Sequence, residues 1–405
     1  MDIAIAGAGI GGLAAALSLH AAGFRQVRVY EAARELREVG VGLNLPPHAV
    51  RELCELGLGQ ALQAHGVLTL ALDYRDPQGQ LIWTEPRGEP AGYRWPQYSI
   101  HRGTLQNMLV RAVHERLGTD AIVRGARITQ VANLPNGRVS FRADGQAPQQ
   151  ADVFIAADGI RSRARDSLRG AVTPLASNGW TMYRGTARAE PFLGGHTMVI
   201  TGDEHRRIVV YPIGQGLQNW LLVHPREAGA QVELGNWNLT QDPVQLSKLV
   251  NDWRFDWLDI PALVAASPTA WEYPMADIDP LPQWTSGHCT LLGDAAHAMY
   301  PFGSNGASQA IIDARVLAYA LATEASIPDA LHWYEAQRRA ATAQVQLANR
   351  RQAGDVMARV SQLARQAAVA DAAQELKQVE QKYKQLAGFD VDTLNQRPSW
   401  NVKPA

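Results

Sequence analysis

The run Gly7-Ala8-Gly9-Ile10-Gly11-Gly12 follows directly on the apolar segment Ile3-Ala4-Ile5-Ala6 and leads into apolar residues at helical spacing that end at Gly23. This is G-x-G-x-x-G set between a strand and a helix, and no other feature constrains the fold as strongly. Glycines in that position allow a tight turn and let the backbone approach a pyrophosphate, whose charge rests against the positive end of the helix dipole. The next strand, Val27-Arg28-Val29-Tyr30, ends at Glu31, roughly 20 residues beyond the last glycine, where a carboxylate can accept from ribose hydroxyls. Strand, helix and acid in register point to a dinucleotide-binding βαβ unit. The motif alone does not separate FAD from NAD.

The rest of the chain reads as a discontinuous lobe of that kind interrupted by a second sheet. A helix near residues 47–63, strands near 68–83 and a helix from Thr104 to Leu117 lead through strands at 121–130 and 138–142 to the apolar run Val153-Phe154-Ile155-Ala156-Ala157. From Gly179 to Val223 short apolar runs broken by turn residues predict a mostly antiparallel sheet. A helical segment near 243–254 follows. The strand Cys289-Thr290-Leu291-Leu292 and a helix from Gly306 to Ala322 then return the chain to the first lobe. The Ala-, Gln-, Arg- and Lys-rich stretch from Ile327 to Leu386 predicts two or more tail helices, with a frayed end near Pro398–Ala405. The expected class is α/β: a Rossmann-like domain from 1–75, 100–170 and 285–325, a sheet domain from 76–99 and 171–284, and a helical tail from 326–405.

Two further motifs sit at strand ends. Gly293-Asp294-Ala295-Ala296-His297-Ala298-Met299-Tyr300-Pro301 continues into Phe302-Gly303-Ser304-Asn305-Gly306 and a helix. An aspartate there can accept from a sugar-alcohol hydroxyl, while a glycine-led helix start points backbone N–H groups at a ligand and stabilises negative charge on it. His297 is read as ordering the turn. The third motif, Asp158-Gly159-Ile160-Arg161-Ser162-Arg163-Ala164-Arg165, places three guanidinium forks, suited to phosphate, after an acid and a glycine. Spaced two apart, they cannot all face one side of a helix.

In combination and spacing these signatures resemble the group A flavoprotein aromatic hydroxylases, the family of para-hydroxybenzoate and salicylate hydroxylases. The runs Gly40-Val41-Gly42-Leu43-Asn44, Pro96 to Gly103, Thr181-Met182-Tyr183-Arg184-Gly185 and Gly306 to Ile311 look closest to the branch that hydroxylates 5-methylphenazine-1-carboxylate. The resemblance implies FAD as cofactor, with Gly7, Gly9 and Gly12, and Gly11 beside them, on the pyrophosphate, Glu31 on the adenosine ribose and Asp294 on the ribityl chain. Arg102 would reach the pyrophosphate or ribityl region. Asp158 and Gly159 would serve both FAD and the transient docking of NAD(P)H. Gly42 and Leu43 would offer backbone contacts to the isoalloxazine, Pro301 would abut it, and the Gly303–Gly306 loop would cradle its pyrimidine edge. The implied reaction uses NAD(P)H and O2 to hydroxylate a small aromatic or heteroaromatic molecule through a flavin C4a-hydroperoxide. Tyr183, Arg184 and Tyr211 are candidates for the substrate wall, and an arginine there suits a carboxylate.

Composition excludes several other classes. The balance of 38 Lys and Arg against 39 Asp and Glu leaves a net charge of −1, with no basic stripe for nucleic acid. The cysteines Cys54 and Cys289 lie far apart, so neither a disulfide framework nor a thiolate metal site is expected. No H-x-x-x-H or H-E-x-x-H occurs, so no metal centre is expected. The short apolar start reads as neither signal peptide nor membrane span, which gives the expectation of a cytoplasmic protein, monomer or homodimer. Competing readings are an FAD-dependent dehydrogenase, a halogenase, whose W-x-W-x-I-P signature is missing, and a flavin-binding scaffold assembling through Ala340–Leu386. Decarboxylating hydroxylation also stays open.

Overall fold

The computed structural model describes residues 1–36, 40–226, 234, 239–354 and 369–402. A five-stranded sheet runs in the order Cys289–Leu291, Val153–Ala156, Asp2–Ala6, Gln26–Glu31, Ile122–Arg124, and every pair in it is parallel. Parallel strands covered on both faces must be apolar throughout. Ile3 to Ala6 and Val153 to Ala156 are accordingly all buried. The helices Ile10–Ala21, Arg102–Leu117 and Gly306–Thr323 pack around this sheet, with the first lying against the other two.

The second sheet has eight strands in the order Leu239–Gln241, Ala270–Asp277, Ala176–Arg188, Leu217–Pro225, Arg207–Pro212, Thr197–Gly202, Ala71–Arg75, Leu81–Pro86. All its pairings are antiparallel except Thr197–Gly202 with Ala71–Arg75. Ala71–Arg75, expected on the dinucleotide side, thus belongs to this larger sheet. One face is covered by the short helices Pro243–Lys248 and Ile260–Ala265 with Trp253 between them. Ala372 and Leu376 of the C-terminal segment pack on Leu72, Tyr74, Met198 and Tyr211, and Tyr300 packs on Met182, Val223, Tyr273 and Met275.

Two expectations are corrected. The helix foreseen over 47–63 is two helices, Pro47–Glu55 and Gly59–His65. Gly57 at φ +76° ends the first, with Leu58 N–H on Leu53 O at 2.9 Å and Gly57 N–H on Cys54 O at 2.8 Å, a Schellman closure that needs the glycine. The tail forms helices Ile327–Gly354, Val369–Leu386 and Val391–Gln396, with 355–368 of the foreseen stretch outside the described residues. Beyond them the chain is tied down, not frayed. Arg51 donates to Leu394 O at 3.2 Å and Arg397 O at 2.8 Å, Ser399 Oγ donates to Glu55 at 2.7 Å, and Arg315 donates to Asn401 at 2.7 Å. Trp400 packs on Tyr319 and Trp333. Residues 403–405 of that expected end lie outside the described residues. No described helix is long and apolar enough to cross a membrane.

Candidate active site

Each glycine of the first motif answers a different steric demand. Gly7, at φ +100°, would place a Cβ 2.4 Å from Ala157 O, and Gly12 would place one 2.0 Å from Gly7 O. Gly11 lets the helix Ile10–Ala21 cross Gly306–Thr323, since its Cβ would stand 3.1 Å from that of Ala310. Gly9 faces open space and starts the helix without a side-chain cap. Backbone N–H groups at such an uncapped helix start are suited to an anion. Glu31 accepts from Ala8 N–H at 2.8 Å and Ala33 N–H at 2.7 Å, which fastens the turn to the second strand. A carboxylate has about four acceptor positions, so capacity for a ribose hydroxyl remains.

The second glycine segment is held by buried side chains. Asp313 accepts from Gly293 N–H at 3.1 Å, pairs with His297 Nε2 at 2.5 Å and takes Arg338 Nε at 2.7 Å. Burial pushes this carboxyl up, but His297 and Arg338 outweigh it and hold its pKa below the ordinary value. Arg338 also donates to Gln309, 2.5 Å away, and Gln309 reaches Asn305. His48 stands 3.0 Å from Asn305 Oδ1 and stacks on Phe389. His297 therefore orders the turn, as its position suggested. Asp294 is exposed at the start of the helix Asp294–His297, Pro301 and Gly303 are exposed, and Gly306 opens into free space at a helix start with no side-chain cap.

Across from this segment the large sheet offers an apolar wall. Met182, Val223, Tyr273 and Met275 cluster with Tyr300, and Trp180 and Phe302 flank them. Tyr183, expected here, packs on the opposite face with the cluster around Trp253. Successive side chains of a strand alternate, so Met182 and Arg184 face the cleft and Tyr183 turns away. Tyr211 does lie on the cleft side, where a Cβ on Gly42 would come within 2.7 Å of its ring. Burial raises its hydroxyl pKa to about 12, opposed by Arg184.

Arg184 lies with its guanidinium 5.6 Å from the centre of the Tyr273 ring and donates to Gly42 O at 2.6 Å. Gly42 N–H in turn donates to Asn219 Oδ1 at 2.5 Å. Both backbone polar groups of Gly42 are thus engaged by the sheet, where free backbone contacts for a ligand were expected; Leu43 beside it is half-buried. Arg102 is solvent-accessible, yet burial, and after it the Arg184 charge, lowers its pKa. Tyr273 and Asp294 share its field.

The third motif is mainly architectural. Asp158 accepts from Ser162 Oγ and, at 3.1 Å, from Ala164 N–H, where it fixes the start of the helix Arg163–Arg169. Burial raises its pKa despite those bonds. Arg165 is buried against the carbonyls of Ala295 and Ile160, and Arg161 donates to Leu234 O. Gly159, at φ +84°, keeps open space around it. Sequence reasoning missed Asn305, Gln309, Asp313, Arg338, Tyr383, Met182 and Tyr273. Gln309 and Asp313, polar residues four apart in an apolar helix, are the signal that could have found the first group.

Two uncapped, glycine-led helix starts that pack together, an exposed arginine and an exposed aspartate at a strand end fit a long dinucleotide bearing a flavin. The family model for an FAD binding domain matches residues 1–348. A phenazine 1,6-dicarboxylic acid hydroxylase of Lysobacter antibioticus is 42% identical over 362 residues, 86% of this chain and 89% of the relative. A 3-hydroxybenzoate 6-hydroxylase of Aquipseudomonas alcaligenes is 33% identical over 358 residues, 86% of this chain and 88% of the relative. Klebsiella pneumoniae HpxO complexed with FAD and uric acid superposes with a TM-score of 0.78 at 25% identity, covering 97% of this chain and 96% of that one. A salicylate hydroxylase substrate complex, at 22% identity and TM-score 0.76, covers 100% of this chain and 98% of that one and shares the fold. With a domain match that spans both sheets and relatives aligned over most of their own length, the chain belongs to the FAD binding domain family and is an FAD-dependent monooxygenase of the aromatic hydroxylase class.

Proposed function

We propose that this enzyme uses NAD(P)H and O2 to hydroxylate a carboxylated aromatic or heteroaromatic ring. The observation that carries the reading is Arg184 over the Tyr273 ring, at the edge of the apolar wall of Met182, Val223 and Met275. A ring needs that wall, and a carboxylate needs a guanidinium fork. The names of the Lysobacter and Aquipseudomonas relatives, a phenazine dicarboxylic acid hydroxylase and a hydroxybenzoate hydroxylase, support the same class.

In this reading Gly7, Gly9, Gly11 and Gly12 hold the FAD pyrophosphate with the start of the helix Ile10–Ala21, Glu31 the ribose and Asp294 the ribityl chain. Arg102 balances the phosphate or ribityl region. Asp158 and Gly159 line the approach of NAD(P)H. Leu43, Pro301, Gly303 and Gly306 frame the ring system. FAD, when bound, carries two electrons from the nicotinamide to O2 and delivers one oxygen atom to the ring. The balance is substrate C–H, O2, NAD(P)H and a proton giving substrate C–OH, water and NAD(P)+. The chain's own work is orientation and water exclusion. Arg184 fixes the carboxylate end, and Met182, Tyr273, Met275 and Tyr300 keep the ring dry.

The test follows NAD(P)H oxidation by the FAD-loaded enzyme under 18O2, with phenazine, hydroxybenzoate and salicylate carboxylates and their decarboxy counterparts. One carboxylate should speed oxidation, lower H2O2 per NAD(P)H and gain one labelled oxygen. Substrate-driven flavin reduction in the absence of NAD(P)H would identify a dehydrogenase instead. Flavin binding with no response to any ring or nicotinamide would favour a scaffold.

A further inference from the structure

We propose that Tyr383, reaching in from the C-terminal helix Val369–Leu386, is a positioning residue that holds the loop Phe302–Gly306 in the shape that favours reduced flavin. The inference rests on the placement of the flavin pyrimidine edge against that loop.

Ser304 places strain in the loop. Gly303 sits at φ +68° and Ser304, which has a Cβ, at φ +55°. Such conformations persist only where surrounding groups over-determine them. Tyr383 supplies that constraint from 80 residues away in sequence, since its hydroxyl donates to Phe302 O at 3.3 Å and accepts from Asn305 Nδ2 at 2.8 Å. One oxygen thus ties the residue before Gly303 to the residue after Ser304. The ring packs against the loop, so that a Cβ on Gly303 would stand 2.4 Å from Tyr383 Cε1. Burial holds the hydroxyl pKa well above its ordinary value, which keeps it a neutral donor at every working pH.

The same helix also docks on the large sheet, through contacts that do not involve the loop. Tyr74 donates to Glu380 at 2.7 Å, and Lys384 donates to Glu85, both partners lying on the hairpin Ala71–Pro86 of the large sheet. The consequence is electrostatic. Backbone N–H groups at an uncapped helix start stabilise anionic charge, and their aim depends on the preceding residues. Charge collects on the flavin only when it is reduced. Loosening the loop should therefore weaken binding of reduced FAD far more than binding of oxidised FAD.

The experiment compares Tyr383→Phe, Lys384→Gln and Gly306→Ala with the parent holoenzyme, reading the oxidised-FAD dissociation constant, the flavin absorbance spectrum and the two-electron potential by dye equilibration. Tyr383→Phe should bind oxidised FAD as tightly as the parent does and reduced FAD about tenfold more weakly, a shift of about 30 mV to more negative potential. Lys384→Gln, which loosens the same helix without touching the loop, should keep the parent potential. An unchanged potential in Tyr383→Phe, or an equal shift in Lys384→Gln, overturns the proposal. Gly306→Ala projects a methyl into the open space at the helix start. If it leaves FAD affinity and potential untouched, the flavin placement itself is wrong. If it shifts them while Tyr383→Phe does not, only the role of Tyr383 is lost.

Discussion

The two glycine segments that frame the cleft are built by opposite means. The Gly7–Gly12 turn is made from its own backbone: Gly12 clears Gly7 O, Gly7 clears Ala157 O, and the one outside carboxylate, Glu31, comes from the adjacent strand. The Gly293–Gly306 segment is held by His48, Asp313, Arg338 and Tyr383, side chains from four helices spread over most of the chain. A turn of the first kind is specified chiefly by steric limits within one βαβ unit. One of the second kind is adjustable, because its shape is set by removable groups.

The largest expected effect tests the second segment. Asp313→Asn leaves Arg338 without its buried counter-ion and weakens three bonds at once, so stability should fall by about 3–5 kcal/mol in urea unfolding. A loss under about 1 kcal/mol would mean that the segment is as self-sufficient as the first. Next comes Gly12→Ala, whose methyl meets a backbone carbonyl 2.0 Å away that cannot yield. FAD affinity should drop at least about 100-fold, roughly 2.7 kcal/mol, measured by flavin fluorescence on refilling the apoprotein. Retention of flavin would break the distinction from the other side.

The same contrast explains what could be read from the sequence. G-x-G-x-x-G with Glu31 encodes its geometry within one βαβ unit, so strand, turn, helix and acid were all legible. The network under Gly303 was not, because Arg338 and Tyr383 sit in Ala- and Gln-rich helices whose spacing carries no sign of what they touch. Tyr183 failed for a smaller reason. Sequence reasoning names it together with Arg184, and neighbours on a strand point to opposite faces, so only one of the two can join the wall. The C-terminal end was misread because its anchors, Arg51, Glu55 and Arg315, lie far upstream. Composition predicts a loose end wherever local apolar residues are few.

His48 gives an intermediate effect with a defined pH window. Burial lowers its pKa from 6.5 to about 3. The unfolded chain therefore binds a proton between those values that the folded chain refuses, and stability is lost as pH falls through that window. The contribution should reach about 2 kcal/mol at pH 5, and His48→Gln should flatten this acid limb while changing little at pH 8. Unfolding midpoints across pH 4–8 check it. An unchanged acid limb would show that the ring titrates freely and does not brace Asn305.

The smallest effect belongs to the wall across the cleft, where neither kind of glycine turn is involved. Arg184 donates to Gly42 O and retains a buried Nε with no partner, so its fork is not exhausted by the fold. Arg184→Met keeps the length and the packing on Tyr273 but removes the charge. For a carboxylated ring KM should rise about tenfold, roughly 1.4 kcal/mol, with a smaller change in kcat. For the decarboxy counterpart KM should move less than about twofold. Equal changes for both substrates would mean that Arg184 serves only to hold Gly42, making the strand Gly42–Leu45 a third segment braced from outside. A carboxylate-specific change would show instead that the sheet supplies recognition and the two glycine segments supply the flavin.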